Sequence, residues 1–385
     1  MDPIIIIGTG MAAYTLAREF RKLDQITPLI LISSDDGRSY PKPMLSNALS
    51  KDKTAEDIAM FDAGAMAKTL NAEIIINHVV TRISPQAHTL IMENGSQYHY
   101  KKLILAVGAS PILLPIEGDA ANEILSINTL LDYTVFRQRL VDAKHVALIG
   151  PGLIGCEFAN DLIASTDVRV SVIGPSSVPM DTVLPESVAV ELQQHLSDAG
   201  VEWHLNATAK AIGFSDHGFD LTLSSEAVIK PDLVISAVGL RPNISLAFEA
   251  GLMVNRGVVT DEFLQTTEKD IYALGDCAEV KGHSLLFVAP LIAAAKALAK
   301  TLAGEITAVH YSAMPVAVKT PLYPLVVASP VEKAEGEWRF EKAGSGFGVK
   351  ALFVGSDEHL LGFVLSGDYV KEKQALAKQL PDIIA

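Results

Sequence analysis

The sequence predicts an α/β protein made of two Rossmann-like three-layer units and a small α+β C-terminal unit. Three observations predict it. A buried strand, a glycine turn and a helix open the chain in "IIIIGTGMAAYTLAREF". The same device returns in "HVALIGPGLIGCEFANDL". The phrase "LILAVGASPILLP" recurs as "LVISAVGLRPN", so the same strand and loop closes each unit.

In the first cradle Gly8, Gly10 and Ala13 fit the spacing G-x-G-x-x-G/A. Gly8 permits the tight turn, and Gly10 lets a pyrophosphate approach the backbone at a helix N-terminus. Ala13 is small enough for helix and strand to pack closely. The next strand, Leu29 to Ile32, runs into "SSDD". Ser33 or Ser34 stands where a ribose contact is expected; an acid is usual there, and Asp35 and Asp36 come slightly late.

The second cradle carries Gly150, Gly152 and Gly155, and its following strand, "VRVSVIG", ends near Gly174. No acid follows that strand to hold a ribose 2'-hydroxyl, and residues 173–180 hold no Arg or Lys to pair a 2'-phosphate. That balance favours NADH over NADPH. Two intact glycine sets imply two dinucleotides, placed so that two redox rings meet; a decayed duplicate is the plainer alternative.

Between the cradles, strand-like runs at Glu73–Ile76, Val79–Ile83 and His88–Met92, with Leu103–Val107 beyond, read as a small antiparallel meander attached to the first sheet. "ENG" at 93–95 supplies a hairpin turn. Residues 113–245 read as an inserted second domain. The first domain then covers 1–112 and 246–319, resuming with "DIYALGDCAEV" and a helix from about Pro290 to Leu302. Residues 320–385 read as strands and a short helix starting near Val370. "GSGFG" at 344–348 imitates a phosphate loop but reads as a hairpin turn, because no helix follows it.

The chain has 385 residues, 49% hydrophobic and 20% charged, enough for large cores and two or three domains. Its net charge of -14 argues against a nucleic-acid partner. No apolar run reaches the ~18 residues of a membrane span, so no membrane insertion is expected. The first residues lack a charged n-region and a cleavage site, which reads as cytoplasmic. The two cysteines, Cys156 and Cys277, sit in no C-x-x-C or zinc spacing, and the ten histidines are scattered, so no metal is expected.

The loop "SYPKPMLS" at 39–46 sets Lys42 between two prolines. Prolines fix the backbone and remove donors, so the loop is stiff and its one cation is a positioned charge or a solvated lysine.

Taken in order, the first cradle, "AVGASP", "GPGLIGCEFA", "AVGLRPN" and "IYALGDCA" resemble the two-dinucleotide flavoprotein disulfide/ferredoxin reductase superfamily over about residues 3–320. The "SYPKPMLS" loop and the length resemble the rubredoxin reductases within it, with flavorubredoxin reductases close behind. The resemblance implies a glutathione-reductase-like fold, non-covalent FAD in the first cradle and NADH as substrate in the second. Around FAD it points to Gly8, Thr9, Gly10, Met11 and Ala12 at the pyrophosphate and to Ser33 and Ser34 at the ribose. Val80 would bond adenine through its main chain, and Asp276 would bond a ribityl hydroxyl. Val288 would lie at the pyrimidine end, where a helix dipole favours negative charge, and Lys319 would approach the ring. Gly150, Gly152, Leu153, Ile154, Gly155 and Gly239 would bind NADH. Val107 departs from a common Thr.

The resemblance also gives Lys42 and Glu157 a catalytic role: an ion pair at flavin N5, where positive charge favours the electron-rich ring. Disulfide reductases of the superfamily use a close cysteine pair, and oxidase relatives carry a cysteine near the Lys42 loop. Here serines stand there, and both cysteines read as packing residues. The implied acceptor is therefore a one-electron carrier, rubredoxin, serving indirectly a membrane alkane monooxygenase. Lys319 and the lysines of 296–300 are candidates for meeting it. A ferredoxin reductase, an NADH oxidase and a non-enzymatic NADH sensor are the rivals.

Overall fold

The structure is a computed structural model that describes residues 2–331, 334–342 and 346–385. Its first sheet has five parallel strands in the order Ile271–Ala273, Lys102–Leu105, Ile4–Ile7, Leu29–Ile32, Glu73–Ile75. The central strands are continuous apolar runs because both faces are covered. The helix Met11–Leu23 lies against one of them and packs Ala13, Leu16, Ala17 and Phe20 into the core shared with the helix Val288–Leu302. That second helix begins two residues before the position the sequence indicated.

The second sheet has four parallel strands in the order Val201–His204, Arg169–Ile173, His145–Ile149, Leu233–Ser236. Its cradle helix is Leu153–Ser165. Each unit carries an antiparallel meander, Val80–Ser84, Thr89–Met92 and Gln97–His99 in the first, and Ala209–Ser215, Gly218–Leu223 and Val228–Ile229 in the second. Two expected meander strands belong elsewhere. Glu73–Ile75 and Lys102–Leu105 join the parallel sheet, while Gln97–His99, a polar edge strand without apolar alternation, takes the third meander place.

The two repeated phrases meet in space. Ala109–Pro111 pairs antiparallel with Leu240–Pro242, and this ribbon joins the first unit to the second. The C-terminal unit is an antiparallel sheet in the order Val316–Val318, Leu325–Ala328, Leu360–Ser366, Val349–Val354, Glu337–Lys342, followed by the short helix Lys373–Ala377. That sheet therefore begins before residue 320. The expected turn at 344–348 falls partly outside the described residues.

The cores do not follow the domain boundaries. Leu45, Ala48, Ala55 and Ile58, from the segment after Lys42, share one buried cluster with Leu162 and Leu192 of the second unit and with Tyr323, Leu325 and Val364 of the third. Burying a Leu or Ile side chain contributes about 1.5–3 kcal/mol and each Ala methyl about 0.8 kcal/mol, so residues 45–58 are a strap fastened to the second unit although the first unit supplies them. Among the described residues, no helix is long and apolar enough to cross a membrane.

Candidate functional site

The two glycine turns are built alike. A Cβ on Gly8 would come within 2.3 Å of the Ala106 carbonyl oxygen, and one on Gly150 within 2.7 Å of the Ala237 oxygen. Both residues have positive φ, +118° and +111°. A Cβ on Gly10 or Gly152 would meet nothing within 4 Å, so the space over the second glycine is open in each cradle. These two glycines are the N-caps of their helices, no side chain caps either end, and neither first turn holds an acid. The N-terminal amides of Met11–Ala12 and of Leu153–Ile154 thus face the open space as donors, an arrangement that suits a pyrophosphate. The residues present fit a dinucleotide in both cradles.

The ends of the second strands differ. In the first cradle Thr9 and Ser33 hydroxyls lie 2.5 Å apart, and Asp35 Oδ1 accepts from Ser33 Oγ at 2.5 Å, from the Gly37 N–H at 2.9 Å and from Thr9 Oγ1 at 3.3 Å. The acid that seemed to come late is folded back onto the glycine turn. Ser34 points away and is exposed. His78 N–H donates to the Ser33 carbonyl at 2.9 Å, which brings the first meander strand, beginning at Val80, beside this end. In the second cradle a Cβ on Gly174 would meet the Pro151 ring at 2.2 Å, and among the described residues no carboxylate hydrogen-bonds to this turn. Gly239 follows its closing strand with φ +111° beside Ile112.

Asp276 sits in a short 3-10 turn after the edge strand Ile271–Ala273. A Cβ on Gly275 would meet that of Ala12 at 2.7 Å, so this turn lies against the first cradle. Burial raises the Asp276 carboxyl above the ordinary value, and Lys42 opposes the shift. Burial likewise lowers the Lys42 ammonium, with Asp276 first and Asp132 second opposing it. Val288 opens the long helix, whose first turn is free of acids.

The structure corrects the expected Lys42–Glu157 pair. Glu157 is fully buried, and its salt-bridge partner is Lys319, whose Nζ donates to Oε2. The Lys319 N–H donates to Oε1 at 2.9 Å, and Ser46 Oγ donates to Oε2 at 2.6 Å. These three donors occupy the carboxylate and Lys42 is not among them; the carboxylate whose charge most supports the Lys42 ammonium is Asp276. Lys319 is therefore held by the buried Glu157 carboxylate while its own side chain stays 27% exposed.

Two neighbours of Glu157 carry no obvious sequence signal of their own. Asn160 Oδ1 accepts from the Leu322 N–H at 3.1 Å. Asp161 accepts from the N–H groups of Leu49 and Ser50, both at 3.0 Å. Positions 157, 160 and 161 share one helix face. Three polar residues grouped on an otherwise apolar helix were the signal available. Together they fasten the strap and the C-terminal segment to the second cradle.

Both cysteines are buried. Burial pushes Cys156 up to about 12, with Glu157 adding to it, and Cys277 up to about 11. Neither thiol is a nucleophile at neutral pH, so neither can relay electrons as a thiolate.

The pyridine nucleotide-disulphide oxidoreductase family matches residues 2–319, and the rubredoxin binding C-terminal domain matches residues 308–380. A rubredoxin-NAD(+) reductase from Alcanivorax borkumensis is 46% identical, with 100% of each chain covered. A nitric oxide reductase FlRd-NAD(+) reductase from Vibrio vulnificus is 36% identical, with 98% of each covered. A crystal structure of a ferredoxin reductase from Rhodopseudomonas palustris has the same fold, with TM-score 0.89 and 24% identity over 99% of this chain and 96% of that one.

Proposed function

The chain belongs to the pyridine nucleotide-disulphide oxidoreductase family, and from that premise we propose that it is an FAD-dependent NADH:rubredoxin reductase. The observation that carries this reading is the rubredoxin binding domain at residues 308–380, set behind two cradles that fit dinucleotides and joined to no thiol relay. FAD, when bound, supplies the step from two-electron hydride acceptance to single-electron release.

The residues divide the work. Met11, Ala12 and the open Gly10 hold the FAD pyrophosphate, with Thr9 and Ser33 steadying the Asp35 carboxylate toward the ribose. Val80 meets the adenine through its main chain, Asp276 a ribityl hydroxyl, and Val288 the pyrimidine end. Gly150, Gly152, Leu153, Ile154, Gly155 and Gly239 hold NADH. Lys42 keeps a positive charge beside Asp276, in surroundings where burial strengthens its field. Glu157 fixes Lys319 at the junction of the three units. Rubredoxin takes the electrons, and the finer reading, supply of a membrane alkane monooxygenase by a chain working in the cytoplasm, rests on the sequence resemblance.

Anaerobic stopped-flow at the flavin absorbance tests this. Rapid bleaching by NADH, slow bleaching by NADPH and rapid reoxidation by rubredoxin are expected. Reoxidation that is slow with rubredoxin and fast with ferredoxin would sink the acceptor assignment. The relative with 36% identity supports a second reading, a flavorubredoxin as acceptor; faster reoxidation by the rubredoxin domain of such a protein would favour it.

A further inference from the structure

The strap 45–58 and the turn that leads into it from Lys42 belong in sequence to the first unit, yet the polar anchors of residues 46–53 lie on the second. Ser46 Oγ donates to Glu157, the Leu49 and Ser50 N–H groups donate to Asp161, and the Lys53 carbonyl accepts from Tyr133 Oη at 3.1 Å and Arg137 Nη1 at 2.8 Å. Of these anchors, Asp161 alone presents a buried carboxylate to two backbone amides. Asp161 is 2% exposed, so an amide left without it has no water to turn to. It stands one helical turn beyond Glu157, and its two bonds go to the strap, whereas Glu157 also holds Lys319 of the C-terminal segment.

The first residue of the strap's leading 3-10 turn, Lys42–Asn47, is Lys42. A second short turn, Leu49–Lys51, follows at once. Pro41 and Pro43 stiffen the start. A stiff strap transmits displacement, so where the second turn is held decides where the Lys42 charge stands relative to Asp276.

We infer that Asp161 is a positioning residue for hydride transfer: by gripping the Leu49 and Ser50 amides it fixes the strap, and through the strap it sets the place of Lys42 beside the flavin site. This rests on the function proposed above, in which FAD and NADH meet beside Lys42. It makes the second unit, where NADH binds, a determinant of the field felt in the first.

The test compares wild-type holoenzyme with Asp161→Asn, Lys42→Met and the double variant. In Asp161→Asn, amide hydrogen exchange in the peptide spanning 48–53 should rise about tenfold, while peptides of the first sheet stay protected. The flavin midpoint potential should shift in the same direction as in Lys42→Met. Flavin reduction at saturating NADH should slow about tenfold, with the Kd for NADH held within about twofold. The double variant should be no slower than Lys42→Met alone, because Asp161 acts through Lys42. Additive effects, or an unshifted potential, would overturn the inference. So would loss of FAD or of cooperative melting in Asp161→Asn, which makes Asp161 a residue of the fold only. Wild-type holoenzyme that NADH does not bleach sinks the functional reading; normal wild-type bleaching with an unaltered Asp161→Asn sinks this inference alone.

Discussion

The two cradles share one plan and differ at two places. The first has alanine at its third small position and a carboxylate, Asp35, folded onto the turn. The second has Gly155 at that position, where a Cβ would meet the Gly150 oxygen at 1.9 Å, and among the described residues no carboxylate hydrogen-bonds to its turn. A resident cofactor profits from every anchor, because slow release is the requirement. A substrate that leaves after each turnover does not, since tight uniform binding slows nothing but exit. The difference suits the proposed function, with residence in the first cradle and passage in the second.

Gly155→Ala breaks the comparison most severely. The added methyl must push backbone aside, so bleaching by NADH should fall about 100-fold, as expected for a displacement near 1 Å, with FAD content unchanged. The reciprocal change, Ala13→Gly, should keep both cofactors and cost only about 1 kcal/mol in denaturant unfolding. Glu157→Gln comes next. It leaves the Lys319 ammonium without its buried partner, and loss of about 3 kcal/mol in stability is expected from urea melts, with part of it recovered in Glu157→Gln/Lys319→Met.

Asp35→Asn sharpens the contrast between the cradles. Losing one charge-assisted bond to a ribose should weaken FAD by about 10-fold, corresponding to about 1.5 kcal/mol, seen as flavin release on dilution, while the KM for NADH is unmoved. The smallest expected effect separates the bases of the two sheets. His145 is buried in the second, with Nε2 2.8 Å from Ser171 Oγ and Nδ1 3.1 Å from the Lys230 carbonyl. Burial lowers its pKa from the ordinary 6.5. The unfolded chain therefore takes up a proton that the folded chain resists, and stability is lost as pH falls below 6.5 toward the folded value. Thermal melts from pH 8 to pH 5 should show a smaller loss in His145→Gln than in wild type; equal losses would assign the acid sensitivity to another group.

Legibility followed sequence distance. Both cradles were readable because glycine turn, strand and helix lie within one short stretch and obey one steric rule. The place of the Asp35 carboxylate is not legible in the sequence, because it depends on a local fold-back in which its Oδ1 accepts from the Gly37 N–H, and counting residues cannot show that. The partner of Glu157 was misassigned because the choice between Lys42 and Lys319 is made by packing of the third unit against the second, across 162 residues of chain. A periodic pattern carries no information over that span. The strap's allegiance was hidden for the same reason: residues 45–58 read as part of the first unit until the shared core with Leu192 and Tyr323 is seen.

The edge strand Ile271–Ala273, hydrogen-bonded to Lys102–Leu105, has a consequence for the growing chain. The ribosome delivers the strands and helices of the second unit between these two neighbours. At ordinary elongation speeds the first sheet waits roughly 10–30 s for its last strand after the rest has emerged. The second sheet and its glycine turn are thus delivered entire while the first sheet still lacks its edge strand, Asp276 and the helix from Val288. A ribosome-bound chain whose residues up to about 250 have left the exit tunnel carries all four strands of the second sheet and a first sheet one strand short, so the order of synthesis closes the inserted unit before the one that encloses it.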